Sequence, residues 1–206
     1  MKEYAMKCVG RIYILARWLL LAGVCGVVLG LVAGLFGRSI TEVTAFRQSH
    51  GWMLYFLPVA GLVIVALYRL DPYKSDTNRV LEGIQSGTYV PLRMSPLIII
   101  STVLTHAVGG SAGREGAALQ LGGSLGGTIG KWLKLDEYDQ KVMIMCGMSA
   151  AFSALFGTPL TATIFAMEVV SIGIMEYAAL VPCAIASLIA REMANMVGAH
   201  AEQFPV

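Results

Sequence analysis

Residues Trp18–Gly37 run for twenty positions without a formal charge, and Gly51–Tyr68 for eighteen. No other feature narrows the fold as much. A hydrocarbon core roughly 30 Å thick is crossed by about 20 apolar residues in a helix, and a helix satisfies its own backbone polar groups there. The remaining composition agrees: 56% of the 206 residues are hydrophobic and 14% are charged, against about 25% charged in soluble domains. The expected fold class is all-α integral membrane, a single membrane domain over residues 1–206 with tilted and broken helices.

The N-terminus, MKEYAMKCVGR, is basic and precedes an apolar stretch. That stretch exceeds the roughly 7–15 residues of a signal-peptide core, and further spans follow it, so the first helix is read as retained. Lys2, Lys7, Arg11 and Arg17 put the N-terminus in the cytoplasm, and Arg69 and Lys74 mark a return to that side. The location implied is the plasma membrane, crossed several times. A net charge of +2 is too small for a nucleic-acid partner. Cys8, Cys25, Cys146 and Cys183 are scattered without a C-x-x-C pair, so no disulfide framework, metal site or cofactor is expected.

Along the chain, helices are expected over about Ile12–Phe36 and Trp52–Leu70, joined by a polar connection containing Arg38, Glu42, Arg47 and His50. A short helix through Ile84 is capped by Ser75, Asp76 or Thr77. An apolar helix ends near Val108, and later ones occupy about Glu115–Leu133, Val142–Leu155, Leu160–Ile172 and Glu176–Val197. The uncharged runs Gly116–Gly130 and Tyr177–Ala190 are short for upright spans, and Gly157-Thr158-Pro159 cuts another in two. Broken helices at membrane depth are tolerated only inside protein or along a wet cavity, and they point to a transporter's substrate site.

Two breaks carry the chemistry. Between Met94 and Gly130 the only formal charges are Arg114 and Glu115, set among glycines in GGSAGREG. A helix beginning there offers free N–H groups and the positive end of its dipole, which together attract an anion. Glu115 belongs to the same turn, so its carboxylate competes with the ion as a gate that protonation opens. The plainer reading is an Arg114–Glu115 pair that staples helices. A P-loop is not supported, because G-x-x-x-x-G-K-[ST] and a preceding strand are lacking. Glycines 122, 123, 126, 127 and 130 read better as helix packing than as a pore wall. In the second break, FGTPLTATIFAMEV, the break residues are Gly157 and Pro159, with Pro159 in the first helical turn. Glu168 is either a carrier on a proton path or a buried carboxylate capped by backbone. His106 reads as a satisfied core histidine. An enzyme using Glu115, Glu168 and His106 is disfavoured, since no nucleophile–base spacing accompanies them.

GGSAGREGAALQLGG resembles the GREGP-type signature of the CLC (voltage-gated chloride channel) superfamily, and FGTPLTATIFAMEV resembles its N-A-P-L-type helix start. The two stand in the family's order, and the resemblance spans nearly the whole chain as the first of two inverted repeats. It implies transport of an anion, chloride or fluoride, through a homodimer with one path per subunit. Glu115 would be the gating glutamate, and Gly113, Arg114, Gly116 and Ala117 would frame the anion sites. The family's G-S-G-I-P motif falls near SDTNR, which puts the pore serine's place at Asp76 or Thr77. Ala117 replaces the usual proline, and Val169 stands where chloride/proton exchangers have an inner glutamate. TNRVLEGI, VPLRMSPL and THAVGGSAGREG are more similar to the bacterial fluoride-exporting branch, in which proton coupling survives without that glutamate. The resemblance also implies a second repeat that these residues do not contain. The chain alone is therefore expected not to conduct.

Overall fold

The computed structural model describes residues 2–70, 76–86, 90–169 and 174–199, with side chains from Ile14 onward except Ser86. These residues form α1 (Lys2–Ser49), a 3₁₀ segment (Gly51–Phe56) leading into α2 (Leu57–Arg69), α3 (Thr77–Ser86), α4 (Met94–Ala107), α5 (Arg114–Trp132), α6 (Glu137–Phe156), α7 (Pro159–Glu168), and a 3₁₀ turn (Tyr177–Ala179) opening into α8 (Leu180–Met196). Among the described residues there is no strand. The all-helical membrane fold is as expected, and among the described residues three helical stretches are long and apolar enough to cross a membrane.

Two boundaries differ most from expectation: α6 begins at Glu137, five residues before the expected Val142, and α1 runs past Phe36. The polar connection after Phe36 is helix, because α1 continues through Ser49. The charged residues there support the helix: Arg38 Nε pairs with Glu42 Oε1 one turn on at 2.7 Å. The hydroxyls of Ser39 and Thr41 donate to carbonyls four residues back. Charge ends a span, but it does not end a helix. Residues 71–75, where Ser75 was a capping candidate, and residues 170–173, where the seventh helix was expected to finish, lie outside the described residues.

The core is organised around α6, whose residues 142–151 are all buried under α1, α5, α7, α8 and α3. A helix that is apolar on every side belongs in such a place. Small residues let its neighbours approach closely. Gly122 of α5 faces the Gly147 backbone of α6, and a Cβ added at Gly126 would lie 2.6 Å from Met143 O. A second seam joins α1 to α8, where Gly26, Gly30 and Gly34 face Ala186, Ala190 and Ala194 at matching four-residue intervals. A Cβ on Gly30 would lie 2.7 Å from Ala190 Cα. This is the small-xxx-small packing expected of glycines in lipid, where close van der Waals contact holds helices together. Buried hydroxyls add polar ties: Ser153 Oγ donates to Ser187 O at 2.8 Å, and Ser124 Oγ to Pro91 O at 2.7 Å. By contrast α2 turns outward, with Leu62 72% exposed and Ala60 its one buried residue.

An ion pair fixes one end of the bundle. Arg17 Nη2 on α1 meets Asp139 Oδ2 on α6 at 2.7 Å, and Asp136 caps α6 by accepting from Asp139 N. Lys131 and Lys134 close α5 near the same end.

Candidate functional site

Both sequence breaks become the starts of helices, and they face one another. Gly113 is the N-cap of α5, with Arg114 and Glu115 in the first turn. The chain enters α7 through Gly157, which ends α6 in the left-handed conformation (φ +70°), with Pro159 taking a first-turn position. A cavity of about 610 Å³ lies between the two breaks. Ala112, Gly113, Arg114 and Glu115 form one wall, and Leu155, Phe156 and Thr158 the other.

The first four N–H groups of a helix have no partner within it. Gly113 has no side chain to cap them, and Thr158 makes no capping hydrogen bond at α7. Two positive helix ends therefore border one cavity. Glu115 is exposed there, and its Oε2 folds back toward the N-cap, 3.3 Å from where a Cβ on Gly113 would sit. A carboxylate at that point gains from the dipole and occupies the space a free anion would take.

A third helix start adjoins the same turn. Asp76 caps α3, its Oδ1 accepting from Arg79 N at 2.9 Å. Thr77 Oγ1 lies 3.7 Å from a notional Cβ on Gly116 and accepts from Gln120 Nε2 at 3.0 Å. The structure thus brings Gly113, Arg114, Glu115, Gly116, Thr77, Gly157 and the start of α7 into one region. Ala117 is buried beneath it. Asp76 sits beside Thr77, exposed, with its carboxylate engaged in capping. A carboxylate has no proton donor to offer an anion.

Glu168 lies apart. It is the last residue of α7 and is exposed, so the buried, backbone-capped carboxylate of one sequence reading is not what the structure contains. Its position near the helix end, rather than within an apolar helix, accounts for the difference. Val169 follows it, half-buried. His106 Nδ1 donates to Thr102 O at 2.8 Å, a satisfied histidine as expected. The buried thiols of Cys146 and Cys183 lie 3.8 Å apart. Among the described residues no group of His, Cys, Asp and Glu could hold a metal ion.

Gln120 was missed by the sequence reading. Its signal was available: Gln120, Ser124 and Thr128 are polar residues at four-residue spacing in an otherwise apolar, glycine-rich run, which puts them on one face of α5.

Comparison with known proteins gives relatives over most of the chain. A chloride/fluoride channel protein of Pseudomonas syringae pv. tomato is 38% identical over 187 residues, covering 89% of this chain and 41% of its own length. The crystal structure of a CLC-type fluoride/proton antiporter superposes with a TM-score of 0.86 at 37% identity, covering 92% of this chain and 49% of that one. A slow cyanobacterial Cl−/H+ antiporter shares the fold at a TM-score of 0.72 and 20% identity, over 88% of this chain and 47% of its own. The chain thus spans about half the length of these relatives, or somewhat less. Residues 68–206 match the voltage gated chloride channel family, and the chain belongs to that family.

Proposed function

We propose that this chain supplies one half of a transmembrane anion path gated by Glu115, and acts as a transporter rather than an enzyme. One observation carries the reading: the acid stands in the first turn of α5, on a cavity where α7 also begins. Helix-end N–H groups attract the anion, and the carboxylate competes with it until protonation releases the place. Gly113, Gly116, Ala117 and Thr77 frame the approach of the ion to that turn, with Arg114 beside it. Asp76 contributes through the cap it gives α3.

Fluoride export coupled to protons is the more specific reading. It is favoured by the fluoride named for two relatives at 37–38% identity, and chloride is the alternative. Glu168 is the second protonatable group of such a path. A second repeat completes the path in the whole protein, and the exposed apolar residues Leu160, Ile164 and Leu188 of α7 and α8 supply surface for a homodimer. Arg17, Lys131 and Lys134 gather at one end of the bundle, which supports a plasma-membrane protein with its N-terminus in the cytoplasm.

The test is fluoride and chloride efflux from liposomes carrying the complete protein, measured across pH for wild type and Glu115→Gln. The wild type should respond to pH, and the variant should lose that response. An unchanged flux and pH profile in the variant would remove Glu115 from the gate.

A further inference from the structure

We propose that Gln120 is a positioning residue for the anion path: its side-chain amide turns the Thr77 hydroxyl so that the O–H points to the ion. This rests on the anion-path reading above and adds to it a side-chain donor beside the backbone N–H groups.

Gln120 lies one helical turn beyond Gly116 on α5, partly buried, and its Nε2 donates to Thr77 Oγ1 at 3.0 Å. A threonine hydroxyl holds one proton and two lone pairs. With a lone pair occupied by Gln120, the proton faces away from the amide, and among the described residues it meets no acceptor. Thr77 is the first residue of α3 and touches the space over Gly116, so this donor stands where the starts of α3 and α5 adjoin. Without the amide the hydroxyl would rotate freely. It could then present a lone pair, which repels an anion.

The other end of the amide shows that Gln120 is not there for packing. Its Oε1 is buried and, among the described residues, has no hydrogen-bond partner. A half-satisfied buried amide is worse than an apolar side chain of similar size, and the flanking positions 119 and 121 are both leucine. Packing alone would be better served by leucine or methionine. The orphaned carbonyl is tolerated because the N–H end holds Thr77. Gly116 lies alongside, with Thr77 Oγ1 at ordinary van der Waals distance, 3.7 Å, from a Cβ placed there.

The experiment is a double-mutant cycle on the complete protein in liposomes, recording initial fluoride efflux against internal fluoride, with chloride as a parallel probe. Gln120→Met keeps the side-chain length and removes the amide. It should raise KM roughly fivefold, as the loss of one oriented hydrogen bond does, with kcat within about twofold of wild type. Thr77→Val should raise KM at least as much, and Thr77→Ser should restore it. Adding Gln120→Met to Thr77→Val should change nothing further, because Gln120 acts through the hydroxyl. Additive effects of the two substitutions would overturn the proposal, as would a fall in kcat at constant KM or an unchanged KM in Thr77→Val. If Thr77→Val is silent while Glu115→Gln still alters the pH response, the positioning role fails and the path stands. If both are silent, the path itself fails.

Discussion

Asp76 shows how much one side chain in this region is asked to do. It was read from the sequence in two ways, as a helix cap and as a neighbour of the anion, and the geometry engages its carboxylate in the first. Asp76→Ala should lower stability by about 1 kcal/mol, the usual value of an N-cap side chain, while Asp76→Ser should be nearly neutral. Thermal unfolding in detergent distinguishes the two. The cap was legible because Ser, Asp and Thr stand together before a helical pattern. Which of the three serves was not, since that depends on where the first free N–H points. The same holds for Glu115. Its isolation among glycines made it conspicuous, but its turn back over Gly113 is a matter of rotamer. Gln120 escaped notice because its spacing with Ser124 and Thr128 marks a polar face of α5 but does not reveal the partner, Thr77, 43 residues away.

At the scale of helices, two glycines separate what a Cβ does by itself from what it meets. Gly61 on the outward-facing α2 has nothing within 4 Å of a Cβ position, whereas Gly126 on α5 has Met143 O at 2.6 Å. Gly61→Ala should therefore stabilise by up to about 1 kcal/mol through helix propensity. Gly126→Ala should destabilise by about 1–3 kcal/mol, because the obstacle is backbone that cannot rotate away. Unfolding midpoints of the two variants, measured side by side, should move in opposite directions. The glycine spacing on α5 was legible as packing, and the structure supplies its counterpart in Gly147. The end of the first helix was misjudged for a related reason. Arg38 and Glu42 mark water, and the i,i+4 pair they form continues the helix into it.

For the molecule as a whole, the order of long, short and broken helices was readable from charge-free runs and Gly/Pro breaks. The meeting of the two breaks across one cavity was not, because it depends on α6 carrying the chain back over the length of α5. The arrangement makes a prediction about sidedness. Glu137 is exposed at the start of α6, at the end fixed by Arg17 and Asp139. In a Cys8→Ser background, Glu137→Cys should react with a membrane-impermeant maleimide only after cells are opened, with Cys25, Cys146 and Cys183 silent because they are buried. Labelling of intact cells above that of the unaltered protein would reverse the orientation. The seam between α5 and α6 has a mechanical consequence. With main chain abutting main chain at Gly122 and Gly147, neither helix has slack to rock or slide. Under the gating role proposed for Glu115, opening the path would fall to the swing of that one side chain, an event limited by its proton rather than by any rearrangement of the scaffold around it.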